Sequence, residues 1–466
     1  MIHETTIPVA AFTRSADWRD VLVIGGGASG VLFAASLLGR RSDLRVTVIE
    51  GRHRLGCGIA YSTQEPDHLL NTRVRQMSAD PGDEEHFLRW LRAGPQGEGF
   101  DGDSFVSRAS YGRYLAGLLR PYAASGRLSC VTAECIALHE RPGGVKVTLA
   151  GGQVLTGFCA VLATGHVQAR PDPSGLVARA WDETDPPGPG ETVLIVGTGL
   201  SMVDRVLSLE RAGHRGPIVA ISRRGLLPRC HAQGTALPTA REDLPLGAPL
   251  SRMLGWLRGR ARQAEAAGGS WRDALDGIRP WIGLIWQSLS VGQRARFLRH
   301  GASWWEVHRH RLPPASAERI AAALASGRLQ IRRAAFLSAR PGGPQGIRAA
   351  IRGHGTGVEE TLDVARIVDC RGIRNDPERH ASPLIAGLLA EGAARVDPLR
   401  IGLDVSAQCA LIGADGRESR RIFALGPVSR ATFWEITAIP DIRVQAAELA
   451  RRVAALGAAQ TLQTRR

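Results

Sequence analysis

The feature that most constrains this chain is a glycine run set directly against a short apolar stretch. Asp20-Val21-Leu22-Val23-Ile24 lacks polar alternation, as a strand buried on both faces of a sheet requires, and it enters Gly25-Gly26-Gly27-Ala28-Ser29-Gly30 without a break. Val31 to Leu38 then reads as a buried helix ending near Gly39. In G-x-G-x-x-G spacing, Gly25 permits the tight turn, Gly27 lets backbone amides approach a diphosphate, and Gly30 lets helix and strand pack closely. The phosphates meet the helix N-terminus, where free N–H groups and the helix dipole favour negative charge. A second apolar strand, Leu44 to Ile49, ends at Glu50, where such a site places a carboxylate for ribose hydroxyls. Gly25, Gly27, Ala28, Ser29, Gly30 and Glu50 are therefore candidate dinucleotide-binding residues.

The segment after Glu50 continues with Gly51, Gly56 and Gly58, and resembles FAD-binding oxidoreductases in which it runs along the pyrophosphate toward the flavin. That adds Gly58 to the FAD candidates. Ala160 to Gly165 resembles the Ala-Thr-Gly element at which two-dinucleotide flavoproteins leave the FAD domain, which adds Thr164 and Gly165. After the breaker-rich linker Asp185 to Gly190, the strand, glycine turn and helix pattern returns in Val193-Leu194-Ile195-Val196-Gly197-Thr198-Gly199-Leu200-Ser201. Met202 stands where a third glycine would be, so this helix is expected to sit farther from its strand. The next strand, Pro217 to Ser222, ends in Arg223-Arg224, where an NAD site carries an acid. A guanidinium there can pair bidentately with a 2′-phosphate, which predicts NADPH over NADH, with Gly197, Thr198, Gly199, Ser201, Arg223 and Arg224 as its residues.

Residues 226 to 314 read as mostly helical and hold Trp256, Trp271, Trp281, Trp286, Trp304 and Trp305, which could cover the flavin and form an apolar substrate pocket or simply be core. His231, His308 and Arg309 are the polar groups there most suited to face a ligand, although satisfied histidines are the plainer reading. His308 and His310 are two apart and point to different helix faces, so no metal is expected. Asp363 to Cys370, followed by Arg371-Gly372, reads as the return crossing into the FAD domain, with Arg371 where such crossings carry Thr. Arg421 to Pro427, with Gly426, reads as that domain's last strand. Trp434 to Pro440, with Thr437, is placed at the flavin's pyrimidine edge, where helix N-terminal amides would stabilise negative charge. A last helix over Asp441 to Leu456 follows.

Composition narrows the function. The formal charge of +15 would suggest nucleic acid, but Lys146 is the only lysine, the arginines are scattered, and no basic block is interleaved with aromatics. Seven cysteines without a C-x-x-C pair suit a reducing compartment, and no apolar run approaches a membrane span. A cytoplasmic protein with no nucleic-acid or membrane partner is expected. Cys57 alone follows the first acid closely, and Cys130 and Cys135 fall in a strand-like segment, which speaks against disulfide reduction.

The strings His68-Leu69-Leu70-Asn71, Met77-Ser78-Ala79, Phe87 to Trp90, Tyr111 to Leu115, Val307 to Arg311 and Trp434 to Pro440 resemble the bacterial FAD-NAD(P)-binding protein family related to class B flavin monooxygenases. One branch of that family hydroxylates urate. The resemblance adds Asn71 as an FAD candidate. It implies an α/β fold of two Rossmann-like domains: an FAD domain over 18–170 and 361–457, and an NAD(P)H domain over 190–360 carrying a helical Trp-rich insertion at about 228–315, with disordered tails at 1–17 and 458–466. It also implies an FAD-dependent NAD(P)H oxidoreductase that hydroxylates a small molecule with dioxygen through a flavin C4a-hydroperoxide. An oxidase or reductase without hydroxylation, and a non-catalytic flavin-binding protein, remain as alternatives; Met202 and Arg371 favour the last.

Overall fold

A computed structural model describes residues 20–463 except 41–42, 53, 95–96, 167–169, 183–185 and 373–375. The expected tail at 1–17 and residues 464–466 lie outside the described residues.

Strands β1 (Asp20–Ile24), β2 (Arg45–Ile49) and β3 (Leu128–Val131) run parallel in a first sheet. Next, β4 (Cys135–Arg141), β5 (Gly144–Leu149) and β6 (Val154–Gly157) form a small antiparallel sheet that leaves Lys146 exposed. The chain returns to the first sheet as β7 (Cys159–Leu162), parallel to β1. It then builds a second sheet from β8 (Val177–Arg179), β9 (Val193–Val196), β10 (Ile218–Ser222), β11 (Leu329–Pro341), β12 (Ile347–Gly353), β13 (Glu359–Val364) and β14 (Arg366–Asp369). Finally β15 (Ala410–Ile412) and β16 (Glu418–Ala424) close the first sheet. The strand orders are β15-β16-β7-β1-β2-β3 and β13-β12-β11-β10-β9-β14-β8. The first sheet is thus built from both ends of the chain, with the second inserted.

The second sheet exceeds the expected span of 190–360 on both sides. β8 precedes the linker and pairs with β14, which itself lies against β9, so residues 177–369 belong together. The reason is topological: β14 completes β9 as β7 completes β1, and neither glycine turn is closed without that neighbour.

Helix Ala28–Arg40 packs along helix Ile439–Gln463 over the first core. The latter begins before Asp441 and continues through residues 458–463, where a disordered tail was expected. Residues 226–249 are not helical apart from a short 3-10 turn at Arg241–Asp243, because Pro228, Pro238, Pro245 and Pro249 interrupt them. The helical insert therefore runs from Leu250 to Arg309. It docks on the first domain. Trp286 stacks on Trp434 at 4.7 Å and donates its indole N–H to Ala431 O at 2.8 Å, inside a cluster with Ile282, Leu289 and Ile401.

A second weld joins the domains directly. Arg108 pairs with the buried Asp204 at 2.9 Å, and His68 is bonded to Ser208 Oγ at 2.9 Å, both partners lying on helix Leu200–Arg211. Removing one member of such a pair leaves a buried charge uncompensated. Arg108→Ala is expected to cost about 3 kcal/mol, read as a lowered Tm. An unchanged melting curve would show that the pair carries no stability.

Candidate functional site: two glycine turns and a charged cleft

The first turn is shaped by close approach. A Cβ on Gly25, at φ +109°, would lie 2.3 Å from Ala163 O, and one on Gly30 would lie 2.0 Å from Gly25 O. Each position admits only glycine. The Glu50 carboxylate accepts from the Gly26 amide at 2.9 Å and the Arg52 amide at 2.8 Å, so it braces the turn while keeping lone pairs for hydroxyl donors.

The first intrahelical bond is donated by Val31 to Gly27 O, and among the described residues no acceptor meets the amides of Gly27, Ala28, Ser29 or Gly30. Ser29 and Gly30 are buried. A buried helix start with orphan donors calls for an anion, and a diphosphate fits this one. Gly58, at φ +51°, lies opposite Gly27, with Cα 3.5 Å from where a Gly27 Cβ would stand. Gly426, at φ +71°, meets Ser29: a Cβ there would lie 2.2 Å from Ser29 Oγ. Gly165 has no neighbour within 4 Å of its Cβ position and Thr164 is exposed, both just past β7.

The second turn repeats the first. A Cβ on Gly197, at φ +121°, would lie 2.4 Å from Cys370 O, the counterpart of Gly25 against Ala163. Gly199 is exposed with open space at its Cβ position, and Met202 is fully buried in the second core. Among the proposed NADP residues, two side chains are already engaged. The Thr198 hydroxyl bonds Ser222 Oγ at 2.9 Å and donates to Leu226 O at 2.6 Å. Arg224 donates to His300 O at 2.9 Å and Arg299 O at 3.1 Å, capping helix Val291–His300, so it is directed away from a 2′-phosphate. Arg223 is exposed just past β10, and Ser201 lies in the first turn of the helix.

The structure brings two of the three polar candidates together. His231 and Arg309 share a cleft with Asn71, Gln76 and several other arginines, while His308 lies outside it. The His308 Nδ1–H donates to Trp304 O at 2.7 Å, and its ring meets Trp271 edge-on. His310 pairs with Glu306 at 3.1 Å; burial works against its charge, but that carboxylate prevails and raises its pKa. Arg309, 8% exposed, faces Glu435, 5% exposed, at 3.1 Å, and Trp305 donates to the same carboxylate at 2.7 Å. Arg279 pairs with Asp441 at 3.2 Å. Of the two readings of the tryptophans, pocket or core, Trp286 follows the second: it stacks on Trp434 in docking the insert, and the cleft is lined by charged groups. Sequence reasoning missed Arg73, Arg75, Arg272 and Arg279, which no spacing marks in so arginine-rich a chain, while Arg311 lies in the Val307 to Arg311 string.

Residues 434–438 form a turn and the helix starts at Ile439. The amides of Thr437 and Ala438 donate to Glu435 O, that of Asp441 donates to Ala438 O, and Pro440 has none, so among the described residues only the Ile439 amide of this first turn lacks an acceptor. Trp434 holds a φ of +51°, a strained value for a bulky residue, fixed by Trp286 on one face and Arg430 at 4.4 Å. A separate cleft of about 430 Å³ lies at the amino ends of β8 and β14, opposite in strand direction to the Gly197 turn. The thiols of Cys130 and Cys135 are pushed up by burial to about 11 and 12, which opposes thiolate chemistry, and all seven cysteines are free. No helix among the described residues is long and apolar enough to cross a membrane.

Two glycine turns at the carboxyl ends of parallel strands, each opening a helix, define an α/β fold with two dinucleotide-binding domains. Residues 22–167 match the family model described as FAD-NAD(P)-binding. In sequence, a 255-residue stretch is 24% identical to the uncharacterized protein YdhS of Escherichia coli strain K12, covering 45% of this chain and 46% of that one. The match therefore spans about half the length of the curated relative.

Among solved structures, the ornithine N-hydroxylase of Kutzneria sp. 744 aligns with a TM-score of 0.64 at 16% identity, over 94% of this chain and 99% of that one. L-lysine 6-monooxygenase from Pseudomonas syringae gives 0.61 at 15% identity over 93% and 98%. The bacillithiol disulfide reductase of Bacillus cereus gives 0.55 at 13% over 94% and 99%. At these identities the likeness is one of fold.

His231 supplies a pH signature. Burial lowers its pKa from 6.5 to about 4, with the Arg311 and Arg73 charges adding to the effect, while its Nε2–H donates to Asn71 O at 2.9 Å. The unfolded chain therefore binds the extra proton between these values, and stability falls as pH drops through that window. His231→Gln is expected to remove on the order of 2–3 kcal/mol of this pH dependence, seen as a flatter plot of Tm against pH between 6.5 and 4. An equally steep plot would exclude a neutral buried His231.

Proposed function

We propose that this protein is an FAD-dependent oxidoreductase that takes electrons from NADPH and hydroxylates a small molecule with dioxygen. The observation that carries the cofactor reading is the half-buried to buried helix start at Gly27 to Gly30, whose amides meet no acceptor among the described residues, beneath a turn that only glycine can form. The ornithine and lysine hydroxylases that share the fold favour hydroxylation over disulfide reduction, and so do the raised thiol pKa values.

In this reading Gly25 to Gly30 hold the FAD diphosphate, Glu50 its ribose, and Gly58, Thr164, Gly165 and Gly426 line its path. Asn71 and Thr437 flank the isoalloxazine ring, and the Ile439 amide at the start of the last helix favours negative charge at its pyrimidine edge. Gly197, Gly199 and Ser201 receive the NADPH diphosphate. Bound FAD would supply the two-electron chemistry between nicotinamide and dioxygen. This chain's own contribution is orientation, and the helical insert closes the cleft against water.

Two experiments test it. Protein reconstituted with FAD should be yellow and should bleach with NADPH under anaerobic conditions; failure to take up FAD, or to bleach, would overturn the reading. In aerobic turnover with substrate, peroxide released should fall well short of NADPH consumed, whereas full release with every compound tried would remove the hydroxylation step.

Arg223 is the proposed 2′-phosphate residue, since Arg224 caps a helix. Arg223→Ala should lower kcat/KM for NADPH about tenfold and leave that for NADH unchanged. Arg224→Ala should act mainly through Tm. Equal loss with both nucleotides in Arg223→Ala would refute the assignment.

A further inference from the structure

We propose that the cleft between the 71–76 loop and the helical insert binds the carboxylate of an organic monoanion, and that this anion is the substrate; the second part rests on the oxidoreductase reading above. Arg73, Arg75, Arg272, Arg279, Arg309 and Arg311 line the cleft. Five carboxylates answer them: Asp273 and Asp276 in its wall, and Asp103, Glu435 and Asp441 paired from behind. One positive charge is left over, which suits a single carboxylate and not a dianionic phosphate.

The surplus has an address. Arg73 and Arg75 share Asp103, while Arg272 has no carboxylate partner among the described residues: its Nε donates to Cys230 O at 2.9 Å and its guanidinium carbon lies over Trp271 at 4.5 Å. Asp273 beside it is held by the Ser270 amide at 2.7 Å as a helix cap. Arg309 carries a buried Nη2 without a partner, and the buried Arg311 an unpartnered Nε. Buried donors left without an acceptor destabilise the fold, and an anion in the cleft offsets that cost. The internal space of about 40 Å³ holds a group of carboxylate size. Planar guanidinium forks match planar carboxylates.

Position links this cleft to the reaction. Asn71 lines it on one side, and Glu435 and Asp441, which hold Arg309 and Arg279, bracket Thr437 on the other. An anion anchored here would lie between the two segments assigned to the flavin ring. Neutral His231, with Nε2–H committed to Asn71 O, offers Nδ1 as an acceptor for a polar hydrogen of the same ligand.

The test titrates the purified full chain with acetate and benzoate, with their neutral isosteres acetamide and benzamide, and with inorganic phosphate, following calorimetric heat and Tm. The carboxylates should bind saturably and raise Tm, the amides should not, and phosphate should bind about tenfold more weakly. Arg309→Ala should abolish carboxylate binding. Because that variant also breaks the Glu435 pair, Arg272→Gln, which removes no carboxylate partner, should weaken binding about tenfold while keeping the ligand-free Tm. Equal binding of acids and amides, phosphate as tight as benzoate, or an unaffected Arg272→Gln would overturn the site. A colourless protein that still binds benzoate would sink the oxidoreductase reading and with it the substrate role, leaving the carboxylate site standing, and a yellow, NADPH-reducible protein indifferent to carboxylates would sink only this inference.

Discussion

The contact on which the rest of the structure depends is the seating of a glycine against the carbonyl that ends a neighbouring strand. Gly25 meets Ala163 O in this way, and Gly197 meets Cys370 O. In both cases the strand that supplies the carbonyl arrives late in the chain: β7 only after the small antiparallel sheet, β14 only after the insert and three further strands. A glycine turn read locally is therefore half a site. Its other wall is delivered by long-range parallel pairing, and Gly426 beside Ser29 adds a third wall from the far end of the sequence. The interleaving of the two sheets is what assembles the first site.

The parts legible in the sequence are those whose physics is local. An unbroken apolar run, a glycine turn, a helix and a second apolar run ending in an acid fix β1, β2 and the place of Glu50 within a residue or two, and the helix to within three at its start, Ala28 instead of Val31, because each is set by burial on both faces or by backbone clash. The three-residue edge strand β8 was illegible. It carries no periodicity and owes its existence to β14. The domain limits moved for the same reason. Residues 226–249 show the opposite failure, an expected helical tract in which prolines win over composition.

Side-chain roles were less legible still, since a long arginine reaches partners that sequence spacing cannot locate. Arg223 and Arg224 are adjacent, yet one is exposed and the other caps a helix more than seventy residues away. The tryptophans raised the expectation of an apolar pocket, but an indole has both a large face and one N–H to satisfy, and Trp286 satisfies both by docking on Trp434 and Ala431. Packing took the faces of Trp286 and Trp434 and left the cleft to polar and charged groups from four separate stretches of chain, 71–76, 231–234, 272–279 and 309–311. Among them His231, Arg309 and Arg311 could be singled out beforehand, the last two from one string of sequence.

The same engaged side chains couple the two nucleotide turns. Thr198 fastens the second turn to Leu226 O, and Arg224 fastens the end of β10 to helix Val291–His300. That helix packs in one cluster with Trp286 and Trp434, and the next, Ala302–Arg309, reaches Glu435 through Trp305 and Arg309. Any displacement of the second turn relative to the first must therefore strain the walls of the charged cleft, or break the Arg108–Asp204 and His68–Ser208 contacts on the opposite path. Cores and buried ion pairs resist small continuous deformation. The cleft thus lies on one of the two paths by which the position of one glycine turn is felt by the other.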